Sequence, residues 1–429
     1  MSEAQQRWPS DWSVRSLEKI ASLITSGGTP TSGNPRFYLE YGGLPFAKTE
    51  DLTRAKSRFI EECELGISEV ALKESAAKKY PAGTVLISMY GTIGLTKIAG
   101  IEMAANQALC ALIPPLACDS GYLYHHLEYT RPGWLKYSGQ TTQANINGAT
   151  VRAHEVPLPD PSEQRKISQV LDTLDTAIHE TEAIIAKLKA VKQGLLHDLL
   201  TRGIDANGEL RPPQSEAPHL YKQSPLGWIP NEWDFAPLVS KIDFPEGQVD
   251  PRRAPYRDWV LIAPDHIESG TGRLISTATA SEQQAISGKY VFQSGDVIYS
   301  KIRPYLRKAV LASNSGLCSA DMYPLRPKAG IDSRYLIAVI LGDQYSRFAE
   351  SVSMRSGFPK INRNEMAEFS IGWPSPEEQS WIAQILSDAD INQMTEEDEI
   401  EKLRILKAGL MDDLLTGRVR VKPLLEATP

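Results

Sequence analysis

Residues 161–201 read PSEQRKISQVLDTLDTAIHETEAIIAKLKAVKQGLLHDLLT, and residues 376–416 read PEEQSWIAQILSDADINQMTEEDEIEKLRILKAGLMDDLLT. An offset of 215 aligns the two without a gap, and counted from Pro159 and Pro374 about 19 of 43 aligned residues are identical. The identities run end to end: Glu163/Glu378, Gln164/Gln379, Asp175/Asp390, Lys187/Lys402, Gly194/Gly409 and the closing Asp-Leu-Leu-Thr. A period this long is not a solenoid repeat. It describes a tandem duplication of one large unit, and whatever the chain folds into must accommodate two copies.

Both copies read as long helices. In the first, Ile167, Leu171, Leu174, Ile178, Ile185, Leu188, Leu195 and Leu199 fall on alternating steps of four and three, with Thr181 and Lys192 filling the gaps, which is the spacing of a coiled-coil seam. Pro161 with Glu163 supplies a start, and Gly203 a stop. The second keeps Ile382, Leu386, Ile400, Leu403, Leu410 and Leu414 in register, but places Gln393 and Glu396 mid-seam. At 1.5 Å per residue, about 39 residues make a rod of roughly 58 Å. Neither rod can bury its stripe alone. One chain carries both, so antiparallel packing of the two on each other is preferred over a homodimeric coiled coil.

The globular parts are also repeats, more diverged. Pro9-x-x-Trp12-x-x-x-x-Leu17 returns as Pro230-x-x-Trp233-x-x-x-x-Leu238, Gly83-Thr-Val-Leu-Ile-Ser88 as Gly295-Asp-Val-Ile-Tyr-Ser300, and Ile146-Asn147 as Ile361-Asn362. Pattern predicts a short helix over 14–24, strands at 44–47, 84–88 and 109–113, and a helix over 121–137. Pro- and Gly-rich residues 204–229 read as a linker. The expected organisation is a first globular domain (1–155), a long helix (156–206), a linker with a second globular domain (207–370), and a second long helix with a tail (371–429). The fold class is α+β: two globular α/β domains in tandem repeat, separated by two long antiparallel coiled-coil helices about a pseudo-two-fold.

Charge separates the parts. The chain carries −7 overall, but the helical copies and their flanks hold −8 and the two globular parts together +1. Acidic rods suit protein partners; neutral globular parts with local basic clusters are compatible with nucleic acid. The strongest cluster is Lys301-Ile-Arg303-Pro-Tyr305-Leu-Arg307-Lys308, four cations with an interleaved tyrosine. A second is Asp250-Pro-Arg252-Arg253-Ala-Pro-Tyr-Arg257, and a third is the loop with Arg355 and Lys360. In the first half the loop Gln140-Thr141-Thr-Gln143-Ala-Asn145 offers amides that can bond adenine bidentately, or tie down a solvated loop. The stretch Gly27-Gly-Thr29-Pro-Thr31-Ser32-Gly-Asn34 has the composition of a phosphate cradle, but it lacks GxxxxGK[ST] and reads equally as a turn.

No catalytic signature emerges. There is no [DNS]PP[FYW] of amino-methyl transfer, no phosphate-binding lysine loop, and no HxxxH or HxH spacing among the seven histidines. Asp198 and Asp413, paired by the repeat, sit where helix-end packing accounts for them. The four cysteines have no CxxC spacing and read as reduced thiols; no apolar run approaches membrane length, and no signal peptide is evident. These features predict a cytoplasmic, non-enzymatic chain with no cofactor of its own.

Two dissimilar globular regions, each followed by a near-identical long helix, resemble the specificity subunits of type I DNA restriction-modification enzymes. The resemblance spans essentially the whole length. It is carried by Gly27-Gly-Thr-Pro30, Pro45-Phe-Ala-Lys-Thr-Glu-Asp-Leu52, Gly83-Thr-Val-Leu-Ile-Ser88 with Gly91-Thr-Ile-Gly94, Gly295-Asp-Val-Ile-Tyr-Ser300 with Arg303-Pro304, Pro157-Leu-Pro159 and Pro161-x-x-Gln164. Phe46 stands where the family often has tryptophan. The resemblance implies two target-recognition domains, each reading half of a bipartite asymmetric site in double-stranded DNA. It implies helices that set the half-site spacing and dock two methyltransferase subunits carrying S-adenosylmethionine, with restriction/translocase subunits joining later. The candidate DNA contacts are Thr29, Thr31, Ser32, Asn34, Lys48, Gln140, Thr141, Gln143 and Asn145 in the first reader. In the second they are Arg252, Arg253, Arg257, Lys301, Arg303, Tyr305, Arg307, Arg355 and Lys360, with Arg252 or Arg303 as the guanine reader. The competing readings are a stand-alone DNA-binding regulator and a structural scaffold.

Overall fold

The structure is a computed structural model that describes residues 8–114, 118–134, 136, 145–354 and 359–426. It divides into two compact units, Met1–Ile184 with Glu396–Pro429, and Ile185–Thr395. The long helices Pro161–Thr201 and Pro376–Leu415 are each unbroken, and each contributes one half to each unit.

In the first unit, Ser13–Ser16 pairs antiparallel with Glu155–Leu158, so the entry and exit strands of the globular part lie side by side at the foot of the first long helix. This corrects the helix expected over 14–24. Only Leu17–Ile20 forms a helical turn, and Ile24–Ser26 is again a strand. Strand pairing overrides a local apolar spacing that reads as helical. The main sheet has the order Ile24–Ser26, Leu109–Leu112, Val85–Ser88, Thr96–Ala99, Phe59–Ile60. A second sheet places Leu44–Ala47 parallel to Met103–Ala105, with Lys79–Tyr80 antiparallel on its far side. Phe46 is fully buried in this second layer, against the edge of Tyr38.

The second unit repeats the plan. Asp234–Pro237 pairs with Ser370–Trp373. Ile242–Asp243, Met322–Pro327, Val297–Ser300 and Ala309–Leu311 follow the order of the first main sheet. Leu261–Ile262 runs parallel to Gly316–Cys318, with Tyr290–Phe292 antiparallel beyond it. The duplication therefore extends into regions whose sequences no longer align. What the central strands demand is burial on both faces, as in Val85–Ser88 and Val297–Ser300, and many apolar sequences satisfy that.

Each helix half is buried by its own unit. In the first, Ile167, Leu171 and Leu414 join a core with Trp12, Leu17, Tyr122, Leu127 and Val156. In the second, Leu199, Ile382 and Leu386 join Trp233, Leu238, Tyr335 and Phe369. Burying side chains of this size contributes about 1.5–3 kcal/mol each. Ile400 is buried too, while Leu174, Ile178, Ile185, Leu188, Leu195, Leu403 and Leu410 are half-buried, so no seam residue faces open solvent. The halves run antiparallel. Lys407 on the second helix donates to Asp175 on the first, and Arg404 donates to Glu182 at 2.9 Å, both inside the first unit. Inside the second unit Lys192 donates to Asp390. The Asp175–Lys407 and Lys192–Asp390 pairs are images of each other under the 215-residue offset.

The end of one helix is locked to the start of the other by a buried carboxylate, once in each unit. Glu378 accepts from Arg211 at 2.5 and 3.2 Å, from the Trp233 indole at 3.2 Å, and from the Ile204 backbone at 3.0 Å. Glu163 accepts from Arg420 at 3.1 and 2.7 Å, and that guanidinium also holds Asp11 and lies 5.5 Å from the Trp12 ring. Gly203 has φ +62°, and a Cβ there would sit 2.2 Å from the Glu378 carboxylate, so glycine is required for the chain to turn at this point. The expected linker is thus not slack. Ile204 bridges to Leu210, Arg211 is buried, and Tyr221–Ser224 forms a hairpin with Gly227–Pro230. Asp198 and Asp413 are each met by an arginine beyond the helix end, Arg202 and Arg418.

Candidate nucleic-acid interface

The glycine-rich loop of the first unit is a packing device. The Gly27 amide donates to the Leu109 carbonyl at 2.9 Å and the Gly28 amide to the Ala105 carbonyl at 3.0 Å. A Cβ would fall 2.0 Å from the Asn106 carbonyl oxygen at Gly27 and 2.1 Å from that of Ala76 at Gly28. With both amides occupied, neither can cradle a phosphate. Thr29, Thr31 and Ser32 follow on the exposed part of the loop, Thr29 accepting from the Gln107 amide at 3.3 Å. The half-buried Asn34 accepts from the Arg36 amide at 3.1 Å, closing a local turn. Lys48 starts the helix Thr49–Arg54, its amide donating to the Asp51 carboxylate at 2.9 Å. Gln140, Thr141 and Gln143 lie outside the described residues, as does Arg355 in the second unit.

Asn145 is better placed. It bridges to Tyr90 in antiparallel fashion, at the head of a tight turn running from Ser88 to Leu95. Ser88 Oγ donates to the Tyr90 carbonyl at 2.8 Å, the Gly94 amide returns to Ser88 O at 2.8 Å, and Gly91 and Gly94 have φ +70° and +73°. Tyr90 is 46% exposed. It was missed from sequence, although Gly91-Thr-Ile-Gly94 follows the repeated strand and marks the turn.

The second unit builds the same turn from different residues. Ser300 Oγ donates to the Ile302 carbonyl at 3.0 Å, the Ser300 amide to Lys308 O at 2.9 Å, and Ile302 bridges to Lys360. The structure therefore gathers Lys301, Arg303, Tyr305, Arg307 and Lys360 at one tip. Their environments differ. Lys301 lies over the Tyr323 ring at 5.0 Å. Arg307 donates to Asp343 at 2.7 Å, and Lys308 to the Pro264 carbonyl at 2.7 Å. Arg303, Tyr305 and Lys360 are exposed. Arg303 and Arg307 are both left-handed, at φ 47°, a conformation that costs an L residue roughly 1–2 kcal/mol.

Arg252, Arg253 and Arg257 sit on a separate loop, and each faces a carboxylate. Arg252 closes on Asp250 with two bonds of 2.9 Å, and those bonds hold the Asp250 carboxyl down at about 2. Arg253 lies 3.6 Å from the same group, and Arg257 donates to Asp258 at 3.2 Å. Elsewhere, burial lowers His154 to about 4, its ring stacked on Trp134 at 4.6 Å. Among the described residues, no cluster of three or more His, Cys, Asp or Glu could hold a metal ion, and no helix is long and apolar enough to cross a membrane.

A duplicated α/β fold, with matching turns that carry unlike polar side chains and two long helices that each contribute to both units, is the plan of a DNA specificity protein. The chain belongs to the type I restriction modification DNA specificity domain family, whose model matches residues 9–190 and 262–404. It is 29% identical over 322 residues to the type I restriction enzyme EcoDI specificity subunit of Escherichia coli, a match covering 71% of this chain and 69% of that protein. It is 23% identical over 436 residues to the putative type I restriction enzyme MjaX specificity subunit of Methanocaldococcus jannaschii, covering 96% and 95%. The fold resembles the type I restriction-modification system S subunit from M. genitalium, with TM-score 0.58 and 13% identity over 96% of this chain and 98% of that one.

Proposed function

We propose that each unit reads one half of a bipartite, asymmetric site in double-stranded DNA, and that the chain supplies specificity to methyltransferase and restriction subunits without being an enzyme itself. The observation that carries this is the pair of equivalent turns. One scaffold presents Tyr90, Gly91 and Asn145 in the first unit, and Arg303, Tyr305 and Lys360 in the second. Two heads with one plan and unlike tips suit two unlike half-sites. Unbroken helices of 41 and 40 residues suit a spacer between them. The exposed apolar side chains of Ile391, Met394, Ile405 and Leu406 on the second helix suit protein partners, two methyltransferase subunits with restriction/translocase subunits added. S-adenosylmethionine would be held by those partners, in the cytoplasm. Nothing in the family match favours the stand-alone regulator.

The test is genome-wide methylation mapping in a host expressing this chain with and without its methyltransferase partner. A bipartite motif that appears only with both is the expected result. A palindromic site bound by the chain alone would refute the reading.

A further inference from the structure

Resting on that reading, we infer that Gln107 is an adenine-reading residue of the first unit. Four stretches of chain meet around the buried Met89. Its amide donates to the Ala108 carbonyl at 2.9 Å, and its carbonyl accepts from the Ile146 amide at 3.1 Å. The turn at 106–108 and the segment 145–146 therefore flank the turn that carries Tyr90. The glycine-rich loop joins them through Thr29, whose hydroxyl accepts from the Gln107 amide at 3.3 Å. Thr29, Tyr90, Gln107 and Asn145 are thus gathered at one end of the unit. Gln107 was missed from sequence, because a single amide between two buried strands, Met103–Ala105 and Leu109–Leu112, makes no pattern.

The turn is fully bonded without the Gln107 side chain. The Asn106 amide donates to the Ala47 carbonyl at 2.9 Å, and the Leu109 amide returns to the Asn106 carbonyl at 3.1 Å. Asn106 Oδ1 accepts from the Ala108 amide at 3.2 Å. Neighbouring amide side chains have such tasks: Asn34 accepts from Arg36, and Asn147 caps the helix Gly148–Ala153 by accepting from Thr150 at 2.9 Å. The Gln107 carboxamide is exposed and bonds to no other described residue. The duplication supplies the control. In the second unit the Ser319 amide donates to the Ile262 carbonyl at 2.8 Å, the Met322 amide to the Ser319 carbonyl at 2.9 Å, and the Asp321 amide to Ser319 Oγ at 3.2 Å. The Asp321 carbonyl accepts from the Lys301 amide at 3.0 Å, as Ala108 does from Met89. This is the same turn, with Ala320 in the place of Gln107, so a methyl group at that position satisfies the fold. A carboxamide held on a bonded turn, with its donor and its acceptor both unused, matches N7 and N6 of adenine in the major groove. Ala320 can make no such contact, so this turn reads adenine in one half-site only.

The experiment uses the complex with its methyltransferase subunits, and duplexes in which the adenines of the bipartite site are replaced one at a time by 7-deazaadenine, which lacks the N7 acceptor. The wild type is expected to lose about 5–150-fold in affinity at one adenine of the first unit's half-site. Gln107→Ala, which installs the residue of the second unit's turn, should melt as the wild type does, bind the native duplex correspondingly more weakly, and be insensitive to that replacement. Gln107→Glu keeps the size but loses the donor that faces N7, and should resemble Gln107→Ala. If Gln107→Ala binds as tightly as the wild type, keeps the wild-type sensitivity at every adenine, or weakens binding to all sequences alike, the inference is wrong while the proposed function stands. Should the wild-type complex methylate no bipartite motif, the proposed function falls, and the inference with it.

Discussion

Replacing Arg211 with methionine should destabilise the second unit far more than its place in a Pro-rich stretch implies. The Glu378 carboxylate is only 7% exposed and accepts from Arg211, Trp233 and Ile204. Removing the guanidinium leaves a buried charge with two neutral donors, and breaking a pair of this kind costs about 3–5 kcal/mol. The surviving indole and amide place the expected loss near the lower end, about 3 kcal/mol. At roughly 2–4 °C per kcal/mol for a unit of this size, the corresponding calorimetric transition should fall by about 6–12 °C. The double variant Arg211→Met/Glu378→Gln should recover about 1–2 kcal/mol of that, because it removes the stranded charge while keeping an acceptor near Trp233. The repeat supplies an internal comparison. Arg420→Met would strand Glu163, whose side chain is 1% exposed and whose bonds come from Arg420, so in the first unit it should cost at least as much even though Arg420 itself is the more exposed arginine. A loss below about 1 kcal/mol for Arg211→Met, or a double variant less stable than the single one, would show that the pair does not lock the helix ends as argued.

Gly28→Ala should prevent folding of the first unit or lower its melting transition by several kcal/mol of stability, since the new Cβ would meet the Ala76 carbonyl at 2.1 Å; circular dichroism of the purified chain decides, and wild-type stability would refute the close approach. Lys407→Met and Lys192→Met should each cost about 0.5–1 kcal/mol in urea unfolding, as half-buried pairs related by the repeat, and a strongly unequal pair of losses would contradict their equivalence. Below pH 6.5 the first unit should lose stability. His154 is held neutral in the fold with its pKa lowered to about 4, so the unfolded chain binds the proton first; the contribution is complete above about 6.5 and is lost as pH falls toward 4, amounting to at most roughly 3 kcal/mol. In His154→Phe the slope between pH 6.5 and 4 should flatten, which chemical denaturation at several pH values can check.

The long helices were readable because their signal is periodic and repeated. Ile167, Leu171, Ile382 and Leu386 recur at coiled-coil spacing in two copies, and chance does not produce that over 41 residues. Strands 44–47, 84–88 and 109–113 were readable because short apolar runs bounded by turns have few alternatives. The helix expected over 14–24 was not, because Ser13–Ser16 is fixed by a partner, Glu155–Leu158, more than a hundred residues away. Candidate contacts were legible only as composition. Arg252 and Arg307 look alike in sequence as candidate contacts, and only the structure shows that Asp250 and Asp343 hold them.

Amino-acid order alone established the duplication, the two helices, the charge division between rods and heads, and the resemblance that the family match then bore out. Those properties are local or periodic, so each residue carries its share of the signal in its immediate neighbours. Tertiary structure decided that each unit takes half of either helix, that Arg211 and Arg420 close on buried carboxylates, and that the position of Gly91 is also the position of Arg303. Each depends on groups brought together from distant parts of the chain, where a side chain's chemistry is set by which partner reaches it first.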